Sequence, residues 1–261
     1  MVGKLHDDLK YVVKHTTLEH DVETRKEAVH QLVHKFTEDK PLPMVSSYMP
    51  SILSDAIFCG HLVTDLDSIA GAIGAAELYG GIPAKASKIN SETRFALSYW
   101  GVSEPLPIED LVVSQPTAGI CLVDHQQMSQ VNPNIDPERI VGVIDHHALQ
   151  NSTIVTERAI YIDIRPWGSM STIIAHTYMV NQKKPRKCVA GMLLCAILSD
   201  TLNLQGPTTT QWDRLMVAVL CELCNVDDIN ELAVKQFRAK SKELECKLDS
   251  CWCNVYCCLD L

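Results

Sequence analysis

The chain has 261 residues, 46% of them hydrophobic and 21% charged, long enough to bury a sizeable core in one large domain or two small ones. Its net charge of −9 argues against a general affinity for nucleic-acid backbones or anionic membrane surfaces, so neither is expected as a partner. The longest strongly apolar stretch, Cys188 to Leu198, falls short of the ~20 residues a spanning helix needs, and the N-terminus lacks the layout of a secretory signal, so a soluble cytoplasmic protein is expected. Six cysteines (Cys59, Cys121, Cys188, Cys195, Cys221 and Cys224) are spread through apolar segments in the manner of reduced core thiols.

Residues 1–40 read as helical, with Leu18, Val22, Ala28, Leu32 and Val33 near helical spacing. The Pro41-Leu42-Pro43 break and the stretch to Ser54 read as a linker, making 1–54 an N-terminal helical extension whose role, regulatory, dimerising or packing, the sequence leaves open. From Ala56 onward short apolar strands alternate with helical segments. Strands are expected at 56–60, 84–88, 119–123, 140–144 and 159–163, and helices at 67–79, 91–100, 168–181, 186–199, 208–224 and 227–244. This alternation predicts an α/β domain over 55–226 with a Rossmann-like parallel sheet flanked by helices on both faces. In such sheets the ligand crevice lies beyond the carboxyl ends of the strands.

Three of the expected strands end in metal-competent side chains. His61, Asp65 and Asp67 follow the first, Asp124-His125 the third, and Asp145-His146-His147 the fourth. Asp200 stands at the end of the 186–199 helix, and spacing does not decide whether it faces the crevice. A mixed Asp and His set suits Mn²⁺, Co²⁺, Fe²⁺ or Zn²⁺ better than an all-oxygen calcium cage. A catalytic ion usually takes about three protein ligands, so this many donors fits two ions about 3.5–4 Å apart, an arrangement suited to phosphoryl transfer. Without cations, Asp65, Asp67, Asp124 and Asp200 packed together would repel one another.

Plainer readings stand beside these. Asp67 could cap the helix that starts near Ser68, Asp200 could be an ordinary turn residue, and His125 could be a surface histidine or a support for the others. Gly71 and Gly74 do not form a phosphate-binding loop and read as letting their helix approach the sheet.

The ordered set Gly60-His61-x-x-x-Asp65-x-Asp67-Ser68-Ile69, Val123-Asp124-His125, Asp145-His146-His147 and Leu198-Ser199-Asp200-Thr201 resembles the DHH phosphoesterases, most closely the family II inorganic pyrophosphatases. Pro166-x-Gly168-Ser169-x-Ser171-Thr172-Ile173 looks like the family's segment between its third and fourth motifs, and the likeness covers roughly residues 55–225. The resemblance implies one ion held by His61, Asp65 and Asp124 and a second held by Asp67, Asp124 and His146. Asp124 would be the bridge and Asp200 would also sit at the pair. It implies catalytic roles for His147, as a donor to substrate or leaving group, and for Asp145, which would orient the neighbouring imidazoles. The implied reaction is hydrolysis of inorganic pyrophosphate to two phosphates by a metal-bridging hydroxide, with two Mn²⁺ or Co²⁺ ions and Mg²⁺ arriving with the substrate. A homodimer is one assembly open to it.

Two departures qualify the resemblance. Val63-Thr64-Asp65 stands where the family usually has Asn-Pro-Asp, with the ligand positions intact. Residues 227–261 read as a connecting helix and a Cys-rich tail, too short for the family's closing C-terminal domain with its phosphate-gripping Lys and Arg, so impaired hydrolysis is expected. A DHH-type phosphodiesterase or exopolyphosphatase, and a non-catalytic metal-binding regulatory isoform, are the rival readings. The tail cysteines Cys246, Cys251, Cys253, Cys257 and Cys258 lack the paired spacing of a zinc site, and Asp260 is a poor residue for a prenylation box.

Overall fold

Six strands, β1 (Ile57–Cys59), β2 (Ile82–Lys85), β3 (Leu106–Pro107), β4 (Ile120–Val123), β5 (Ile140–Asp145) and β6 (Tyr161–Ile164), lie parallel in one sheet in the order β3-β2-β1-β4-β5-β6. This is a computed structural model, and it describes residues 27, 29–31, 34 and 49–241. The helices are α1 (Leu66–Tyr79), α2 (Ser91–Trp100), α3 (Ile108–Ser114), α4 (Met170–Val180), α5 (Lys187–Asp200) and α6 (Gln211–Cys224). Residues 229–241 are also helical. None of the described helices is long and apolar enough to cross a membrane.

The strands are short and apolar because both faces of the sheet are covered. Side chains alternate across a strand. Phe58, Cys121 and Val123 accordingly join the core shared with α1, α4, α5 and α6, while Ile57, Cys59, Ile120 and Leu122 pack against Ile108 and Leu111 of α3. In β5 a bulge at Val141-Gly142, where Ile140 pairs with Ile120 but Gly142 with Cys121, sends Val141 and Ile144 to the first face and Ile140 and Val143 to the second. Leu193 and Ile197 of α5 are fully buried. Each such side chain contributes about 1.5–3 kcal/mol through removal from water.

Helix ends follow local chemistry. Asp65 caps α1 by accepting from the Ser68 amide at 3.0 Å, and Gly80 ends that helix in the left-handed conformation. Gly71 and Gly74 let α1 approach other helices rather than the sheet. A Cβ at Gly71 would meet Met170 of α4, and one at Gly74 would meet Leu193 of α5 and Ile174 of α4.

A buried carboxylate ties the last described helix to the domain. Glu92 of α2 accepts from Ser199 Oγ at 2.8 Å and Gln236 Nε2 at 2.9 Å, and pairs with Lys240 Nζ at 2.8 Å.

Several boundaries differ from the sequence expectation. β2 begins two residues earlier than 84 because Pro83 is tolerated there. The Ile82 amide donates to Ala56 on the β1 side, so position 83 faces the β3 side, where β3 pairs only with Ala84 and Lys85. β6 lies at 161–164 rather than 159–163. Neither β3 nor α3 was expected, since a two-residue strand has no readable alternation and α3 is about two turns long. Most of the expected 1–40 helix, the greater part of the linker and the Cys-rich tail lie outside the described residues; residues 27, 29–31 and 34 are helical.

Candidate metal centre

β1 and β4 are neighbours at the point where the strand order reverses, and the crevice beyond their carboxyl ends is the expected ligand site. Asp124 follows β4 directly and is 2% exposed. Its φ of +66° places it in the left-handed region, which Asp tolerates better than most residues. There its amide still donates to Ile144 of β5 at 2.9 Å. Its carboxylate accepts from Ser68 Oγ at 2.9 Å.

Two imidazoles converge on this carboxylate from opposite sides. His61 Nε2 lies 3.3 Å from Asp124 Oδ2 and 3.5 Å from Asp65 Oδ2, and His146 Nε2 lies 3.3 Å from Asp124 Oδ1. The approach of His146 lacks hydrogen-bond alignment and leaves Oδ1 without a hydrogen-bond partner. Asp67, His146 and Asp200 form another cluster, as do Asp124, His146 and His147, and the donor atoms of each group lie within 4.8 Å of one another. For an ion with bonds of about 2.0–2.2 Å, neighbouring ligand atoms stand about 3.0–3.5 Å apart. The three separations around Asp124 fall in or at the edge of that range, so the residues fit divalent cations.

Asp67 does cap a helix, but not its own. Its Oδ1 accepts from Ser169 Oγ and the Ser171 amide, each at 3.0 Å, and its Oδ2 from the Met170 amide at 2.7 Å, all at the N-terminus of α4. Asp200, the last residue of α5, brings a carboxylate oxygen within 4.8 Å of the Asp67 carboxylate and of His146, and so does face the crevice. Asp145 is fully buried, and its Oδ1 accepts from the His146 amide at 2.7 Å, the His147 amide at 3.2 Å and His147 Nδ1 at 2.8 Å. His147 itself is half exposed at the rim. His125 is buried rather than at the surface. Its Nδ1 donates to the Val123 carbonyl at 3.0 Å, its ring meets His61 edge-on, and burial lowers its pKa.

Charge is divided unevenly among these groups. Burial alone would lower the pKa of His61, but the Asp124 and Asp65 carboxylates raise it to about 10. His146 is likewise pushed up to about 9, burial being outweighed by Asp124 and Asp67. Asp124, despite its burial, is held below the ordinary carboxylate range by His146 and His61. Burial and mutual repulsion push the pKa values of Asp67 and Asp200 upward. In the metal-free protein the two raised imidazoles place positive charge beside the Asp124 carboxylate.

Sequence reasoning missed several supporting groups. The Trp167 carbonyl accepts from His146 Nδ1 at 3.0 Å. Gln126 Nε2 donates to the Ala148 carbonyl at 3.0 Å and anchors the turn after His147. Asp213 grips the Gly168 amide. Only Asp213 had a readable local signal, since Thr210-x-x-Asp213 has the form of a capping box and makes one here.

Together, a parallel α/β sheet and an Asp/His cluster at its switch point define a domain built to present candidate metal ligands at the ends of its strands. Residues 56–197 match the DHH family, N-terminal domain, and the chain belongs to that family. A manganese-dependent inorganic pyrophosphatase of Methanocaldococcus jannaschii is 36% identical over 190 residues, covering 70% of this chain and 60% of the relative. The manganese-dependent inorganic pyrophosphatase of Methanothrix thermoacetophila is 33% identical over 196 residues, covering 72% of this chain and 61% of that protein. A crystal structure from Methanococcus jannaschii, provisionally assigned to the family II inorganic pyrophosphatases, superposes with a TM-score of 0.64 at 35% identity, covering 70% of this chain and 61% of that one. The chain thus spans about three-fifths of the length of these curated relatives.

Proposed function

We propose that the domain at 55–226 binds two divalent cations, Mn²⁺ or Co²⁺, and hydrolyses inorganic pyrophosphate to two phosphates, with Mg²⁺ arriving on the substrate. His61, Asp65 and Asp124 would hold one ion. Asp67, Asp124 and His146 would hold the second, with Asp200 beside it. The observation that carries this reading is Asp124, a buried carboxylate with each oxygen 3.3 Å from the Nε2 of a different histidine. When bound, a pair of such ions activates water and neutralises charge on a phosphoryl group. The names of the relatives, manganese-dependent inorganic pyrophosphatases, support the same reading.

The chain's own residues position and donate. Asp145 holds His147 by its Nδ1 and leaves Nε2 free to reach substrate or leaving group from the rim. Asp67 is fixed by three donors at the start of α4, which keeps it from reorienting. A cytoplasmic location, a homodimer, and a division into a 1–54 extension, the 55–226 domain and a 227–261 C-terminal segment belong to the same proposal.

The test is phosphate release from pyrophosphate with Mn²⁺, comparing the chain with Asp124→Ala and His147→Ala. Loss of a proton donor costs about 10²–10⁴-fold, and a loss of that size at His147 is expected. Equal background rates in all three proteins, with Mn²⁺ still bound, would replace hydrolysis by a non-catalytic metal-binding role.

A further inference from the structure

The peptide unit between Trp167 and Gly168 is gripped at both ends. Its carbonyl accepts the Nδ1 proton of His146 at 3.0 Å, and its N–H donates to both oxygens of Asp213, at 3.1 and 3.0 Å. A trans peptide is planar, with N–H and C=O pointing to opposite sides. Hydrogen bonds in series through such a unit polarise one another, so a carboxylate on the N–H makes the C=O a stronger acceptor. The usual pairing of a ligand histidine with a carboxylate is therefore present here with a peptide unit interposed.

We propose that Asp213 is a positioning residue of the metal centre, acting through the Trp167–Gly168 peptide to hold His146 with Nε2 turned toward Asp124. Capping accounts for only part of what Asp213 does. It is fully buried and accepts from the Thr210 amide and Thr210 Oγ1, each at 2.6 Å, as a cap of α6 would. It also accepts from Thr172 Oγ1 at 2.6 Å and from Gly168, residues 41 and 45 positions away that contribute nothing to that cap. The contact with residue 168 leaves no room for a side chain, since a Cβ there would lie 2.7 Å from Asp213 Oδ2.

The Trp167 side chain is fixed as well. Its ring stacks on Trp212 at 5.2 Å, meets His176 edge-on at 5.2 Å, and lies 4.8 Å beneath the Arg165 guanidinium. Both sides of the carbonyl that orients His146 are thereby held in place. The inference rests on the metal-binding reading above, extending it to the choice of ring nitrogen that His146 presents.

The test compares Mn²⁺ affinity and melting temperature in the full chain for Asp213→Asn, Gly168→Ala and Thr210→Val. Asp213→Asn and Gly168→Ala are expected to weaken Mn²⁺ binding about 10–100-fold, as loss of a ligand's supporting partner does. Thr210→Val removes the cap without touching Gly168, so it should lower the melting temperature and leave Mn²⁺ affinity unchanged. In the unsubstituted, metal-free protein the His146 Nδ1 proton should give a slowly exchanging NMR resonance that Asp213→Asn broadens or removes. Mn²⁺ affinity in Asp213→Asn within about twofold of the parent, with the His146 resonance unchanged, would overturn the proposal. Absence of Mn²⁺ binding by the parent would instead sink the metal reading, and the NMR arm would still decide the role of Asp213.

Discussion

The Asp145 carboxylate, shut away from solvent, accepts the Nδ1 proton of the half-exposed His147 at 2.8 Å. This bond is the main cause of a raised pKa at His147, against the opposing effects of burial and of the neighbouring His146. In the metal-free protein, an NMR titration should find the His147 imidazolium surviving above the ordinary value of about 6.5. The bond contributes stability that is complete below that value and is lost as pH rises through the folded one. Asp145→Asn should return the midpoint toward the ordinary value; an unmoved midpoint would contradict the assignment.

Loading the centre should expel protons. His61 and His146, with pKa values of about 10 and about 9, carry protons at pH 7 that a metal ligand cannot keep. Mn²⁺ added to weakly buffered protein should release about two protons from these rings. Affinity should therefore rise with pH toward the same values. A pH indicator that stays constant through saturation would rule this out.

Metal removal should cost stability. A ligand at about 100 times its dissociation constant stabilises the folded state by about 2.7 kcal/mol per site. A chelator is expected to lower the melting temperature and excess Mn²⁺ to restore it, whereas coincident melting curves would mean that the cluster binds no ion.

Gly191 of α5 lies against the Trp100 indole, and a Cβ there would come within 2.1 Å of the ring. The indole is rigid and its Nε1 donates to Cys195 Sγ at 3.2 Å, so it cannot easily yield. Gly191→Ala should destabilise by about 1–3 kcal/mol, the cost of overpacking, read as a lower denaturation midpoint. Trp100→Phe in the same background should recover part of the loss.

Glu92 is the anchor of the 229–241 helix. Replacing it with Ala would leave the Ser199 hydroxyl without its carboxylate acceptor, at a cost of about 1–3 kcal/mol, and Gln236 Nε2 with only the Cys195 carbonyl. Amide exchange in 229–241 should accelerate more than in α1, a contrast readable by mass spectrometry.

The sequence made the strand ends legible because each apolar run stops at an Asp or His, and a parallel sheet gathers such ends on one side. The long helices were legible from their apolar content. What stayed hidden depends on contacts distant in sequence. The segment 168–173 read as a motif, yet nothing local indicated that its amides hold Asp67. Nor could the Thr210-x-x-Asp213 spacing reveal that the same carboxylate reaches Gly168. Nor does local sequence show that Gly71 and Gly74 face helices rather than the sheet, since their partners, Met170 and Leu193, lie about a hundred residues downstream.

The cap that Asp67 places on α4 joins parts of the chain that are synthesised far apart. Its three donors come from residues 169–171, more than a hundred positions later in the chain. A nascent chain that has emerged only as far as His147 already carries most of the donor atoms, but Asp67 has nothing to aim it and Asp200 has yet to be made. On the proposed metal-binding reading, selective capture of an ion would wait for α4 and α5 to dock, and the metal would seal a finished domain rather than nucleate it.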